Sequence, residues 1–439
     1  MEISSERDFT IRKWSEFSDL DWWLLTPVLI LISFSFLLLK SAYGGEYLPK
    51  HFGCLIFSLF IVPIALFIRI KFWQEYAFWI YFINVFILLV VIFFGASSMG
   101  AQRWIDIGLI QFQPSEVAKI AIIVSLAAWF TKHSVNGYKD IFVSAMIVAL
   151  PFLLIFKQPD LGTSMTYIAI FLGMAFWAGA TITQLLVFGS PFLALIFSAA
   201  GTPVFNISAI QIQNKMVELT ISNYFALLLS FLSLWLIINY KPWRSPWVVL
   251  LVSTIVSFNF IIGVTRPILW NLLHPYQQQR LTIFLNPESD PQGAGYHIIQ
   301  SLLAIGNGGI FGYGWQHGRL TKGSYVPAQH TDFVFSIAGE EFGFVGAVLL
   351  ISIFAIALCR ILYIARNSRD RFASLIAIGI FSFFAFHVFV NIGMTLGLMP
   401  ITGVPLPLLS YGGTALFTEL FSIFFLLSIS YRTLPRKIF

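Results

Sequence analysis

Apolar residues along this 439-residue chain come in long unbroken runs separated by short polar stretches, not in alternation. A helix needs roughly 20 apolar residues to cross a bilayer. Runs of that length fall near 22–41, 52–70, 76–95, 114–131, 141–157, 162–180, 183–201, 222–239, 246–265, 333–358, 372–395 and 410–431. The pattern predicts an all-α polytopic membrane protein with about twelve transmembrane helices. Continuous runs exclude the alternating strands of a membrane β-barrel. No repeat, low-complexity tract or soluble domain interrupts them, so residues 1–439 read as a single membrane domain.

Composition agrees: 58% of residues are hydrophobic and 10% charged, against about 25% charged in a typical soluble domain. The formal net charge of +6 does not point to nucleic acid, because the basic residues sit scattered at span ends. They set topology instead. With the N-terminus inside, sixteen Lys and Arg fall in short inner segments and nine in the longer outer ones, which predicts N-in and C-in. The tail 1–21 is then cytoplasmic, and the first span serves as an uncleaved signal. Cys54 and Cys359 lie in apolar runs and are expected to be buried thiols, in neither disulfide nor metal site.

This topology places segments 96–113, 157–161, 202–221, 266–332 and 396–409 on the outer side. The loop 266–332 is too long for a passive connection and is expected to fold back towards the membrane. Its apolar stretch Ile298–Ile305, followed by five glycines between Gly306 and Gly314, predicts a half-helix ending in a turn. Asp290 stands at its start, in Asn-Pro-Glu-Ser-Asp-Pro-Gln-Gly-Ala-Gly. Two readings stay open. Asp290 is a turn former among prolines and glycines, or a general base at a membrane cavity, where desolvation raises a carboxylate's pKa. Glu288 rivals it for either role.

Other candidates lie on the same side. Glu116 and Lys119 share one helical face and are either a structural ion pair or an anion clamp. Arg103 beside Trp104 is placed to meet a phosphate, with Trp104 otherwise an interfacial anchor. Asp160 reads as a helix N-cap or a site residue. Glu340 and Glu341 cannot both face lipid, so at least one should look into a polar cavity. The stretch Pro400–Thr414 has three prolines and three glycines and cannot remain an ordinary helix. Its Ser410 and Thr414 can donate to an anion.

Six blocks in order carry a resemblance: Gln113-Pro-Ser-Glu-Val-Ala-Lys119, Gln158-Pro-Asp-Leu-Gly162, Asp290-Pro-Gln-Gly-Ala-Gly-Tyr-His297, His330-Thr-Asp-Phe333, Gly339-Glu-Glu-Phe-Gly343 and Gly403-Val-Pro-Leu-Pro-Leu-Leu-Ser-Tyr-Gly-Gly413. Together they resemble the SEDS family (shape, elongation, division and sporulation), and the short N-terminus and Gly-Tyr-His-Ile-Ile-Gln are more similar to its elongation branch, RodA. The resemblance implies a peptidoglycan glycosyltransferase in the bacterial cytoplasmic membrane that polymerises lipid II into a nascent glycan strand on the extracytoplasmic side. It implies a class B penicillin-binding protein as partner. By position, Asp290 matches the family's essential acid, and Trp104, Glu116, Lys119 and Asp160 match other functional positions. The family has about ten spans, so 183–239 reads as a two-helix insertion.

On this reading the 4-hydroxyl of an acceptor GlcNAc displaces undecaprenyl diphosphate from the strand's terminal MurNAc, with Asp290 taking the proton. Arg103, Lys119 or a divalent cation (Mg or Mn) would stabilise the leaving diphosphate, and Asp290 is an alternative ligand for that ion. No cofactor is demanded by the sequence itself. Two rivals remain. A lipid-linked oligosaccharide transporter (flippase) would carry comparable polar groups at mid-depth and inside. A non-catalytic scaffold would tolerate changes in its outer acids.

Overall fold

The computed structural model describes residues 20–189, 206–220 and 278–433, apart from a few positions inside each range. The predicted spans 222–239 and 246–265, most of 183–201 and the cytoplasmic tail lie outside the described residues. The proposed insertion 183–239 is described mainly as a hairpin, β4 (Asn206–Ile212) against β5 (Lys215–Thr220), in the segment expected to be an outer loop.

Eight described helices are long and apolar enough to cross a membrane. They are α1 (Trp22–Ser41), α2 (Leu48–Phe67), α3 (Ala77–Phe94), α4 (Pro114–Lys132), α5 (Tyr138–Lys157), α8 (Val334–Asn367), α9 (Arg371–Thr395) and α10 (Gly413–Thr433). The shorter α6 (Leu161–Trp177) accounts for the predicted run at 162–180. Every predicted run that falls on described residues is therefore a helix, and the full span count stays an expectation.

The helices sort into two layers by burial. Within its most apolar stretch α4 is 83% buried, and α9 and α10 are similar, whereas α8 is 22% buried and α2 25%. Helix α9 packs on α4, α6 and α8, while α10 packs on α2. The outer helices expose Phe60, Phe93 and Phe94 almost fully, which is favourable only where lipid is the solvent. Cys359, expected to be buried, is exposed on α8, because an apolar residue on a peripheral helix faces lipid as readily as core.

The long loop does fold back. Helix α7 (Ala294–Asn307) contains the predicted half-helix and packs against α8. Helix α8 is broken at Gly343, whose φ of 65° and ψ of −164° are not helical. The glycine-rich turn after α7 threads this break: Phe344 N donates to Gly309 O at 2.9 Å and Val345 N to Ile310 O at 3.0 Å, while Tyr313 N donates to Glu340 O at 3.1 Å. A Cβ at Gly343 would stand 2.4 Å from Gly312 N, so only glycine lets the two backbones meet. Irregular backbone at such depth is tolerated because the other segment satisfies it.

One element has no counterpart in the expected helices. Residues 96–112 form a three-stranded antiparallel sheet, β1 (Ala96–Ser98), β2 (Ala101–Ile107) and β3 (Ile110–Phe112). The aromatic and β-branched residues Trp104, Ile105 and Ile107 favour a strand.

Candidate active site

Several of the segments expected on the outer side meet. Strand β2 carries Arg103 to the turn between α5 and α6, where its Nε donates to Gln158 O at 2.9 Å and its Nη1 lies 3.9 Å from Asp160 Oδ2. Asp160 is the N-cap of α6, accepting from Thr163 N through Oδ1 at 3.2 Å. Its other oxygen accepts from Gln113 Nε2 at 3.2 Å. Asp160 is thus both the expected cap and the partner of Arg103. The Arg103 side chain keeps 25% of its surface exposed, so its charge still reaches solvent. Trp104, half-buried, pairs with Ala96 across β1 and β2.

Glu116 and Lys119 lie deeper, within the first two turns of α4. Lys119 Nζ donates to Glu116 Oε2 at 2.8 Å, and the two side chains are 0% and 5% exposed. Lys119 Nζ also stands 3.4 Å from His387 Nε2 and 4.6 Å from the centre of the Phe383 ring. His387 in turn reaches Thr166 Oγ1 at 3.2 Å and Pro405 O at 3.3 Å. This arrangement is that of a sealed ion pair joining α4, α6 and α9, and it leaves Lys119 no open face for a headgroup.

Asp290 is half-buried at the approach to α7. Its Oδ1 accepts from Gly293 N at 2.9 Å and its main-chain O from Gly295 N at 3.1 Å, which is the turn geometry the sequence allowed. A Cβ at Gly293 would stand 2.1 Å from Asp290 Oδ2, so the carboxylate fills the space that glycine leaves. A turn role does not exclude a chemical one, because a carboxylate that accepts one backbone hydrogen bond has further acceptor capacity. Glu288 lies outside the described residues.

The strap 401–412 closes the mouth. Ser410 Oγ donates to Thr331 O at 2.6 Å and accepts from Leu406 N at 2.9 Å, so its single proton is engaged within the protein and not aimed at an anion. Thr414 Oγ1 accepts from Gln113 N at 3.1 Å. Buried Glu419 of α10 accepts from Leu408 N at 2.7 Å, holding that residue at a φ of 62°. Glu340 and Glu341 are both fully buried. Glu340 accepts from Leu320 N, Thr321 N and Thr321 Oγ1 within 2.9 Å, and Glu341 accepts from Ser41 Oγ. Backbone and hydroxyl groups thus satisfy Glu340, whereas Glu341 keeps one buried oxygen, Oε2, without a hydrogen-bond partner.

Residues with no specific role assigned from the sequence also gather here. His330 stacks on Tyr47 with ring centres 4.0 Å apart, and Tyr411 N donates to His330 O at 2.8 Å. Asn391 Nδ2 ties Asp332 O to Val404 O at 2.9 and 2.8 Å. Asp332 lies within the quoted block His330–Phe333, a signal that could have singled it out. Among the described residues no group of three or more His, Cys, Asp or Glu converges as a metal site.

The chain matches the family model for cell cycle proteins of the FtsW, RodA and SpoVE type over residues 17–224 and 207–434. It is 34% identical over 401 residues to the peptidoglycan glycosyltransferase MrdB of Escherichia coli, covering 90% of each chain. It is 35% identical over 437 residues to the peptidoglycan glycosyltransferase RodA of Treponema pallidum, covering 95% of this chain and 99% of the relative. A solved structure described as the structural coordination of polymerization and crosslinking by a peptidoglycan synthase complex superimposes with a TM-score of 0.65 at 25% identity, covering 94% of this chain and 97% of that one.

Proposed function

Because this chain belongs to the FtsW, RodA and SpoVE family of cell cycle proteins, we propose that it polymerises lipid II at the outer mouth, with Asp290 as general base. The protein is a peptidoglycan glycosyltransferase and a multi-pass membrane protein. Its likeness to RodA supports a role in cell elongation, and the proposal sets the protein in the cytoplasmic membrane with the mouth facing outward.

In the reaction, the 4-hydroxyl oxygen of the acceptor GlcNAc forms a bond to the anomeric carbon of the strand's terminal MurNAc. The bond from that carbon to the diphosphate oxygen breaks, and undecaprenyl diphosphate leaves with the electron pair. The hydroxyl proton passes to Asp290. Arg103, held by Asp160 and open to solvent on one side, meets diphosphate charge. Lys119 acts through the scaffold, since Glu116 and His387 enclose it. A divalent cation would need Asp290 together with diphosphate oxygens as ligands, and no step above runs through one. A transpeptidase of the class B penicillin-binding protein type is the proposed partner, supported by the similarity to a chain of a peptidoglycan synthase complex.

The observation that carries this reading is the meeting of Arg103, Asp160, Gln113 and the strap at one end of the helices, on the side where the Asp290 loop folds back. The test follows labelled lipid II by gel, using purified protein with and without its penicillin-binding protein. Wild type is expected to make long glycan and Asp290→Ala none. Unchanged turnover in the variant would remove Asp290 from the chemistry.

A further inference from the structure

Two arginines at the mouth each have an aspartate nearby, and they come from different segments. One is Arg103 with Asp160. The other is Arg280, which lines the strap at Gly403 together with Asp332 and acts electrostatically on its carboxyl. Gly403, at a φ of 74°, approaches so closely that its missing Cβ would lie 3.4 and 3.6 Å from the two terminal guanidinium nitrogens of Arg280 and 3.6 Å from Asp332 Oδ2. The loop bearing Asp332 is fixed, since Asn391 and Ser410 bind its carbonyls. Burial raises the Asp332 carboxyl above the usual carboxylate range and the Arg280 charge pulls it back, while Asp160 acts on it from nearby. Arg280 also acts electrostatically on His297, in the first turn of α7. Like Arg103, Arg280 is half-buried and keeps part of its surface open.

Transfer between two lipid-linked sugars involves two diphosphates at once: one leaves with the donor's lipid, the other stays on the acceptor. One guanidinium offers a single planar fork, suited to one such anion. Lys119 is sealed and serves neither. We propose that Arg280, oriented by Asp332, is a second diphosphate seat, separate from Arg103 and Asp160, so that both lipid-linked substrates are held at the same time. The proposal rests on the polymerase reading for its purpose, but its binding test does not need turnover.

The test measures equilibrium binding of labelled farnesyl diphosphate to the full-length protein in nanodiscs. Wild type should bind two equivalents, Arg103→Gln and Arg280→Gln one each, and the double variant none. Arg280→Lys should restore the second equivalent with about tenfold weaker affinity, since it keeps the charge and loses the fork. Asp332→Asn should weaken the same equivalent by a similar factor. An unfolding scan of each variant separates a lost seat from a lost fold. One equivalent in wild type, or two in folded Arg280→Gln, would overturn the proposal. Lipid II turnover then identifies the occupant. Shorter strands from Arg280→Gln assign the growing strand, and a raised half-saturating lipid II concentration with normal strand length assigns the acceptor. Neither change in a folded variant also overturns it. Two bound equivalents without any polymerisation by wild type would leave the seat standing and remove the polymerase reading.

Discussion

Two cation–carboxylate pairs with the same chemistry sit near the same end of neighbouring helices and have opposite surroundings. Lys119 and Glu116 touch at 2.8 Å with almost no exposure, whereas Arg103 and Asp160 stand 3.9 Å apart with a quarter of the arginine open. Burying two charges costs several kcal/mol for each ion, recovered only by close geometry and further hydrogen bonds. The inner pair has both, through His387 and Phe383. It therefore fixes α4 against α6 and α9. Those helices begin at Pro114 and Leu161, next to Gln113 and Asp160, so the sealed pair sets where the open pair stands. Depth, more than residue type, separates scaffold from site.

Breaking the inner pair should have the largest effect. Lys119→Met leaves Glu116 charged and unpartnered, and about 3–5 kcal/mol of stability should be lost. Thermal unfolding in detergent reads this, and adding Glu116→Leu should recover most of it, as replacing both partners of a buried pair is often neutral. No recovery in the double variant would mean that the pair is more than a neutralised contact.

The open pair should behave in the opposite way. Arg103→Gln is expected to stay within about 0.5 kcal/mol of wild-type stability. It should raise the lipid II concentration for half-maximal rate by about tenfold, the worth of one charge-assisted hydrogen bond. A loss of stability without a change in half-saturation would make Arg103 structural. Asp160 divides the two roles more finely. Asp160→Ala removes the cap and should cost about 1 kcal/mol. Asp160→Asn keeps the bond from Thr163 N and should alter substrate affinity alone.

The smallest effect concerns pH. Burial lowers the pKa of His330 below 6.5, with Glu46 pulling partly the other way. The unfolded chain then binds the proton more readily than the folded one, so stability falls as pH drops through about 6.5. His330→Gln should flatten the dependence of unfolding temperature on pH between about 7.5 and 5.5. An unchanged slope would assign that dependence to other groups.

The spans were legible because lipid imposes a length and an apolar composition that a sequence displays directly. The half-helix before the glycine run, now α7, was legible for the same reason. The break of α8 at Gly343 was not, since it depends on Gly309 and Gly312 arriving from another segment. The sheet at 96–112 was hidden by the brevity of its strands and the lack of strict alternation along them. In the site, Asp160 was readable as a cap and as a partner of cations, and both readings hold at once. Ser410 looked like an anion donor, but its proton goes to Thr331 O, a contact that no local pattern announces. Asp332 and Arg280 had no specific role assigned from the sequence because they stand far apart in the chain and acquire meaning only where both approach Gly403.

The central claim is that the acid at position 290 does chemistry and does not merely shape a turn. Asp290→Asn separates these, because asparagine keeps an oxygen for Gly293 N and loses the base. The measurement is glycan synthesis from labelled lipid II by the purified, correctly folded variant in the presence of its transpeptidase partner. The account predicts normal expression and unfolding temperature with glycan formation abolished. Wild-type glycan from Asp290→Asn would contradict it and leave Asp290 as a turn former.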